Sequence, residues 1–270
     1  FWSVAKNGVD SACKDMNISC KYVAPGTFDM VEMAKLIDNA VSQNPKGIVI
    51  TLPDAAALGK SVKAAIAAGI PVISMNSGSD DYASLGISVH VGQTEFEAGV
   101  GGGQKMKAAG GKKALCVNHE VGNVALDRRC AGFKKGFGGS VDIIGTSNDP
   151  TEIQKAVAAK LGAGYDTILT LGAGLSGEPA LAAIEAAGKL GKVRLGTFDM
   201  SPNMLKAAAA GKVEFLIDQQ QYLQGYLPIV IFAQYMRWGT MPAGVVMTGP
   251  GFVTPDNASS VIKWAAQGYR

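Results

Sequence analysis

Short apolar segments alternate with amphipathic segments along nearly the whole chain, and this alternation constrains the fold more than any other feature. Segments of about 10–15 residues with apolar residues at helical spacing are typical of helices, and short apolar runs between them are typical of buried strands. Strands are predicted at Lys21–Ala24, Gly47–Leu52, Pro71–Met75, Ser88–Val91, Ala114–Asn118, Ile143–Thr146, Thr167–Leu171, Val193–Phe198, Val213–Asp218 and Gly244–Met247. Helices are predicted at Asp29–Gln43, Ala55–Ala68, Glu95–Ala109, Glu152–Leu161, Pro179–Ala187 and Tyr222–Trp238. The pattern predicts an α/β protein with parallel sheets covered on both faces.

Ten predicted strands are too many for one compact sheet in a chain of 270 residues. The alternation restarts after a Gly/Lys segment at residues 107–113, so we predict two doubly wound lobes. The N-terminal lobe is expected to comprise residues 1–110 and 222–248, and the C-terminal lobe residues 111–221 and 249–270. Because helical spacing begins at Phe1 itself, we expect the first strand and a preceding signal peptide to be missing from this sequence.

Charge and hydropathy exclude several function classes. The net charge is only +3 and the basic residues are dispersed, so the chain has no electrostatic footprint for nucleic acid. No apolar stretch reaches the roughly 18 residues that span a bilayer, which predicts a soluble protein. The two histidines, His90 and His119, have no third ligand at metal-site spacing, so no metal is expected. His90 is interpreted as structural.

The four cysteines form two local pairs, Cys13 with Cys20 and Cys116 with Cys130. Neither pair has the C-x-x-C spacing of a zinc or thioredoxin site. Each pair places a helix residue against a neighbouring strand, which permits a disulfide but is equally compatible with free core thiols. Disulfides would indicate an oxidising compartment such as a periplasm or the cell exterior.

Polar residues follow the predicted strands, and the densest cluster is the amide-rich segment Asp218–Gln224. Ligands of open parallel sheets bind beyond the carboxyl ends of the strands. Buried amides without partners cost on the order of 1–3 kcal/mol each, so something polar is expected beside this strand end. An uncharged, hydroxyl-rich ligand is one candidate. Gln219 is expected to face it, whereas Gln220 and Gln221 are expected to hold backbone where the chain crosses between lobes.

The order and spacing of several segments resemble the sugar-binding proteins of bacterial ABC importers, the type I periplasmic (ribose-binding-like) family. The segments that carry the likeness are Phe1-Trp2, Gly47–Ile50, Gly69–Ile73 followed by Asn76, Val91–Gln93, Arg129 ahead of Gly132-Phe133, Gly196–Asp199 and Ile217–Gln220. The resemblance implies two lobes joined by three chain crossings and closing over one small ligand. It also implies delivery to the transmembrane permease of an importer, a periplasmic or lipid-anchored location, a monomer, no cofactor and no catalysis.

By the same resemblance, Phe1 and Trp2 are expected to stack on a sugar, although adjacent helical residues point apart, so that at least one is expected to be core. Asn76, Asp199 and Gln219 are expected to bond hydroxyl groups. Asp127 or Arg128, in the first turn of a helix expected after Asn123, is expected to contact ligand from the second lobe. His119 and Ala173, which follow strands, are further candidates. Asn76-Ser77 replaces an Asp-Arg pair of the ribose-binding pattern, and Asp127 replaces an arginine. A different pentose, a hexose or a polyol is therefore as plausible as ribose.

Three other functions are compatible with the sequence. Gly172–Gly177 is a formal G-x-G-x-x-G, and Asp199 ends the next strand, as in an NAD-dependent oxidoreductase. However, Pro179 places the helix start near Glu178, after the third glycine, whereas a dinucleotide site needs that glycine inside the helix start. The effector domain of a sugar-responsive repressor and a receptor for a furanone signal are expected to share the two-lobed fold.

Overall fold

The computed structural model describes residues 1–270 and divides into two compact units. The first unit comprises residues 1–94 and 220–248 with Tyr269, and the second comprises residues 95–219 and 249–268 with Arg270. The long segments of the chain therefore pass between the units three times, after residues 94, 219 and 248. Three crossings between two α/β units agree with the predicted fold class.

The units contain ten strands and ten α-helices. The strands are β1 Ile48–Thr51, β2 Val72–Asn76, β3 Val89–Gly92, β4 Lys113–Asn118, β5 Ser140–Gly145, β6 Thr167–Thr170, β7 Arg194–Phe198, β8 Phe215–Asp218, β9 Gly244–Met247 and β10 Gly251–Val253. The helices are α1 Trp2–Met16, α2 Met30–Ser42, α3 Ala55–Ala67, α4 Glu95–Ala108, α5 Val124–Phe137, α6 Pro150–Leu161, α7 Glu178–Ala186, α8 Pro202–Ala209, α9 Gln221–Trp238 and α10 Ala258–Ala266. A short 3₁₀ turn covers Tyr82–Leu85, and a π-helical turn covers Ala173–Gly177.

The first unit is built on a four-stranded, all-parallel sheet in the order β1-β2-β3-β9. Helices α2 and α3 cover it through a cluster that includes Leu58 and Val62, and α9 packs on β2 and β3 through Ile231 and Phe232. Helices α1 and α9 touch along their backbones, because Gly8 lies against the Tyr222 carbonyl and leaves no room for a side chain.

The second unit is built on a six-stranded sheet in the order β10-β8-β7-β6-β4-β5. All pairs are parallel except β10 with β8, which is antiparallel. One core cluster, around Ile168 and Leu195, packs under α6, α7, α8 and α10. The other, around Phe133 and Phe215, packs under α4 and α5 on the opposite face.

Helix α4 differs from its predicted place. The sequence assigns it to the N-terminal lobe, with the boundary at residue 110, but α4 lies in the second unit and the boundary falls after residue 94. The physical reason is its contact with α5. The two helices lie so close that a Cβ atom added at Gly99 or Gly132 would overlap a carbonyl oxygen of the opposite helix.

Nine of the ten predicted strands are present within a few residues of their expected bounds. The predicted strand Lys21–Ala24 is wrong: these residues are irregular, since no strand pairs with them. Strand β10 and helices α8 and α10 are additions that the predicted segments do not contain. None of the ten helices is both long enough and apolar enough to cross a membrane.

Both candidate disulfides are formed, and no cysteine is free. Cys116 in β4 joins Cys130 in α5, and both residues are fully buried. Cys13 in α1 joins Cys20 in the irregular segment that follows the helix. The alternative of free core thiols is therefore wrong.

Candidate functional site

In the second unit, four neighbouring strands end in polar residues at the same edge of the sheet. Strand β4 leads into His119, β6 into the loop at Gly172, β7 into Asp199, and β8 into Gln219. Because these strands are parallel and adjacent, their carboxyl ends meet, which is where open α/β sheets bind ligands. The structure thus brings together residues that the sequence places up to 100 positions apart (219 − 119 = 100).

The centre of this edge is the guanidinium group of Arg129, which α5 holds with only 3% of the residue exposed. It donates to both carboxylate oxygens of Glu95 at 2.6 and 3.1 Å, and to the Leu171 carbonyl oxygen at 3.2 Å. It also donates to the amide oxygen of Gln219 at 3.1 Å. The ring of Phe198 lies under the guanidinium, with 4.4 Å between Cζ and the ring centroid.

The charge of Arg129 is secured by its neighbours. Burial alone lowers the pKa of Arg129, but the carboxylate of Glu95, helped by Asp199 and Glu120, raises it above its usual value. Since the side chain of Glu95 is only 2% exposed, the two charges form a buried ion pair. Such a pair needs all its hydrogen bonds, because the desolvation cost of each ion is several kcal/mol.

Gln219 and Asp199 form the next layer of the edge. The Gln219 amide nitrogen donates to the Asp199 carboxylate at 2.5 Å, and Gln219 is almost fully buried. Asp199 is half-buried and has φ of 65°, in the left-handed region that Asp and Asn tolerate better than most residues. Both residues are predicted ligand contacts. The structure places them side by side, and their contact with ligand stays a prediction.

His119 is buried beside the loop after β6. Its Nδ1 lies 3.4 Å from the Ser176 hydroxyl oxygen, and its ring lies so close to Gly172 that a side chain there would press on it. Burial lowers the pKa of His119 to about 4, with a further lowering by Arg129 and an opposing effect of Asp199. His119 is therefore neutral near pH 7.

A second neutral histidine lies in the first unit. His90, in β3, is fully buried, and its Nδ1 lies 2.9 Å from the Ser74 hydroxyl oxygen, as expected for a structural residue. Burial lowers its pKa to about 4, opposed by the backbone carbonyl of Asn76. In the described chain no group of three or more His, Cys, Asp or Glu residues is arranged to hold a metal ion.

The two neutral histidines make stability depend on pH. Their folded pKa values of about 4 lie below the unfolded value of about 6.5, so the unfolded chain binds more protons below pH 6.5. The stability that the two neutral histidines contribute is therefore expected to be fully present above pH 6.5. The free energy of unfolding is expected to fall as the pH drops from 6.5 towards 4. Between pH 7 and pH 5 we expect a loss of about 2 kcal/mol for each histidine, measured by urea unfolding. The His119→Gln variant should lose roughly half as much stability between pH 7 and pH 5 as the unmodified chain. An equal loss in the two proteins would contradict the prediction.

The remaining predicted residues of the second unit take different positions. Asp127 is exposed in the first turn of α5 and accepts a hydrogen bond from the Asn118 amide at 2.8 Å. Arg128, the next residue, is half-buried. Ala173 is buried at the start of the π-helical turn. All three predicted ligand contacts stay predictions.

The G-x-G-x-x-G segment does not have the geometry of a dinucleotide loop. The backbone N–H groups of Ser176 and Gly177 both donate to the Gly172 carbonyl oxygen at 2.9 Å, so they are not directed at a phosphate. Helix α7 begins at Glu178, after the third glycine, as the position of Pro179 predicts. This arrangement favours a structural turn over an anion site.

In the first unit, Asn76 ends β2 with φ of 63°, the same left-handed conformation as Asp199. Its side-chain oxygen accepts from the hydroxyl of Thr51 at 3.3 Å and of Ser77 at 3.1 Å. Asn76 is buried, and it lies at the carboxyl edge of its sheet. Its contact with ligand stays a prediction.

The aromatic pair at the start of the chain is more exposed than predicted, since the sequence predicts that at least one of the two residues is core. Phe1 is half-buried and Trp2 is 46% exposed, so neither is a core residue. The two rings contact each other edge to face, with centroids 4.7 Å apart. Phe1 is the N-cap of α1 and not a helical residue, which is why the helical rule that adjacent side chains diverge does not hold for it.

Two glutamines of the amide cluster bond to Thr248 near the chain crossings. Gln220 bonds to backbone, as the sequence predicts. Its amide nitrogen donates to the Thr248 carbonyl oxygen at 2.6 Å. Gln224 donates to the Thr248 hydroxyl at 3.1 Å. Thr248 is the residue before the third crossing, and Gln220 is the residue after the second. Gln221 is also buried.

Sequence reasoning missed the role of the Arg129–Glu95 pair. Arg129 enters only as part of a family motif, and Glu95 as the start of a helix. The two residues are 34 positions apart, so no local spacing links them. A charged residue on the otherwise apolar face of α5, beside Cys130 and Phe133, is the one signal that a buried partner exists.

Comparison with known proteins extends these observations. The sequence model of the periplasmic binding protein domain matches residues 1–240. A xylose/arabinose-binding protein of Sulfolobus acidocaldarius, XylF, is 24% identical over 276 aligned positions, which cover 95% of this chain and 68% of XylF.

Among solved structures, the fold is similar to that of a carbohydrate transporter from Acidothermus cellulolyticus 11B in complex with myo-inositol. That protein is 32% identical, its TM-score is 0.94, and the alignment covers 100% of this chain and 94% of that one. A solute-binding protein of an ABC transporter from Burkholderia graminis, in complex with D-arabinose, is 23% identical with a TM-score of 0.86 over 95% and 92% of the two chains. Because the family model spans most of the chain and both units have the expected architecture, the protein belongs to the periplasmic binding protein family and has its type I fold.

Proposed function

We propose that this chain is the solute-binding protein of an ABC importer and that it binds a small polyol or monosaccharide. The observation that carries the proposal is the strand edge of the second unit, where Asp199, Gln219 and His119 gather on neighbouring parallel strands. A carboxylate, an amide and a neutral imidazole are suited to hydroxyl groups, which both donate and accept hydrogen bonds. The myo-inositol bound by the relative of 32% identity is a ligand of this class.

The proposed ligand contacts in the second unit are Asp199, Gln219 and His119, with Ala173 offering backbone and Asp127 or Arg128 approaching from α5. Those in the first unit are Asn76, which presents a buried amide at a strand end, and the aromatic pair of Phe1 and Trp2. An aromatic face stacks on the C–H surface of a sugar ring, while amides and carboxylates pair with its hydroxyl groups.

No bond is made or broken in this function. We propose that binding is non-covalent, with a Kd near 1 μM, which corresponds to about −8 kcal/mol. A few charge-assisted hydrogen bonds and one stacking contact supply a free energy of this size. The chain then delivers its ligand to the transmembrane permease of the importer, and we propose that it does so as a monomer.

Two alternatives fit the structure less well. The N–H groups of Ser176 and Gly177 bond to Gly172, which argues against NAD in the G-x-G-x-x-G turn. The two disulfides argue against a cytoplasmic repressor, because disulfides rarely persist in the cytosol. They favour a location in the periplasm or, with a lipid anchor, at the cell exterior.

A thermal-shift screen tests the proposal. The purified chain is heated with myo-inositol, D-arabinose, D-xylose, D-ribose and D-glucose, and with NAD as the control. A ligand at about 1,000 times its Kd adds about 4 kcal/mol of stability, which raises Tm by roughly 10 °C. A shift with one or more polyols or sugars supports the proposal. A hydroxylated furanone is added to the same screen. A shift with NAD alone would favour the oxidoreductase, and a shift with the furanone alone would favour the signal receptor.

A further inference from the structure

The side-chain amide of Gln219 lies between two charged groups with opposite hydrogen-bonding needs. Its oxygen is 3.1 Å from the Arg129 guanidinium, and its nitrogen is 2.5 Å from the Asp199 carboxylate. A guanidinium group only donates, and an ionised carboxylate only accepts. The amide therefore has one orientation in which both contacts are favourable, and the flipped orientation makes both repulsive.

The guanidinium itself has little freedom to move. Three further hydrogen bonds, to Glu95 and to the Leu171 carbonyl, fix its plane, and Phe198 stacks on its face. A planar fork of five donors meets all these acceptors at once, which a lysine ammonium on a flexible stem does not do. The orientation of the amide is thus determined by Arg129, a residue that is itself buried away from solvent.

We propose that Arg129 is a positioning residue for ligand binding. It orients the Gln219 amide so that the amide nitrogen holds the Asp199 carboxylate in the rotamer that receives a hydroxyl group of the ligand. This inference rests on the proposed function. Arg129 acts through Gln219 and not by touching ligand, and it joins the first residue of the second unit, Glu95, to the last residue before the second crossing.

The conservative substitution Arg129→Lys tests the inference. It retains the positive charge beside Glu95 but loses the fork that reaches Gln219. With the polyol or sugar that binds the unmodified chain most tightly in the screen, calorimetry is expected to show a Kd about tenfold higher, the size of one charge-assisted hydrogen bond. Arg194→Lys is the matched control. Arg194 lies at the opposite end of β7 from Asp199, where it donates to the Ala109 carbonyl, so Kd should not change.

A double-mutant cycle separates positioning from a general loss of structure. If Arg129 acts through Gln219, then Arg129→Lys has no further effect on Kd once Gln219 has been changed to leucine. An equal loss in both backgrounds, or an unchanged Kd in the Arg129→Lys variant, would overturn the inference. If Arg129→Lys does not fold, the paired replacement Glu95→Leu with Arg129→Met takes its place in the same cycle, because it leaves no unpaired buried charge.

The failure of this inference can be told apart from the failure of the proposed function. If the unmodified chain binds no polyol or sugar, the function is wrong and the inference falls with it. If the unmodified chain binds and the Arg129→Lys variant binds equally well, only the inference is wrong.

Discussion

Arg129→Ala is expected to lower the free energy of unfolding by about 3–5 kcal/mol, the usual effect of removing one partner of a buried ion pair. Glu95 would remain with a side chain that is only 2% exposed and without its charge partner. The Leu171 carbonyl and the Gln219 amide oxygen would lose a donor in the same step. Urea unfolding followed by far-UV circular dichroism measures this loss.

The control for this prediction is an ion pair of the same unit on the surface. Lys212 bonds Glu185 at 2.9 Å, with side chains that are 45% and 39% exposed. Lys212→Ala is expected to cost less than about 1 kcal/mol, because exposed pairs are screened by solvent. If the two alanine variants lost similar amounts of stability, the buried network around Arg129 would contribute no more to the free energy of unfolding than an exposed ion pair, which would contradict the prediction.

Gly132→Ala is expected to cost about 3 kcal/mol or more, although alanine is the better helix former by about 1 kcal/mol. The contact between α4 and α5 makes the substitution destabilising in spite of this preference. A Cβ atom on Gly132 would lie within 3.0 Å of the carbonyl group of Phe96, closer than real Cβ contacts. The obstacle is backbone of the opposite helix, so it cannot turn aside as a side chain can, and the helices must separate.

Gly162→Ala is the matched control for the helix contact. Gly162 ends α6 with φ of −73°, and nothing lies within 4 Å of an added Cβ. Alanine there is expected to be neutral or to stabilise by up to about 1 kcal/mol, because it restricts the unfolded chain. A comparable loss in the two variants, measured as the change in thermal unfolding, would contradict the account of α4 and α5.

Strands with a clear apolar pattern could be predicted from sequence, and a strand with a weak pattern was placed less well. Strand β6, at Thr167–Thr170, is wholly buried and close to its expected bounds. Strand β5 runs over Ser140–Gly145, so it starts three residues and ends one residue before its prediction, because this edge strand is mostly exposed and has a weak apolar pattern. Strand β10 has three residues, too few for a period to be visible.

The apolar residues of Lys21–Ala24 are typical of a strand, but a strand also needs a neighbour, and sequence pattern does not contain that information. Helix α4 shows the same limit at a larger scale. Its existence follows from its sequence, whereas its unit is decided by glycine contacts with α5 that lie more than 30 positions away in the chain (132 − 99 = 33).

The candidate site could be predicted as a set of strand-end residues but not as a network. Parallel pairing brings His119, Asp199 and Gln219 to one edge, so their grouping follows from the fold class. The contacts of the Gln219 amide with Arg129 and Asp199 depend on side-chain placement, which sequence does not specify. The amides that first indicated a polar ligand are therefore partly occupied by the protein itself.

Isothermal titration calorimetry of the unmodified chain is the most direct test of the central claim. Titration with the polyols and sugars of the thermal screen is expected to show one binding site per chain for at least one of them, with a Kd near 1 μM. The heat should disappear when Asp199 is replaced by alanine in a variant that still folds. Absence of binding with every polyol and sugar would contradict the claim that this protein captures a small hydroxylated ligand, and saturable binding of NAD in their place would favour the oxidoreductase.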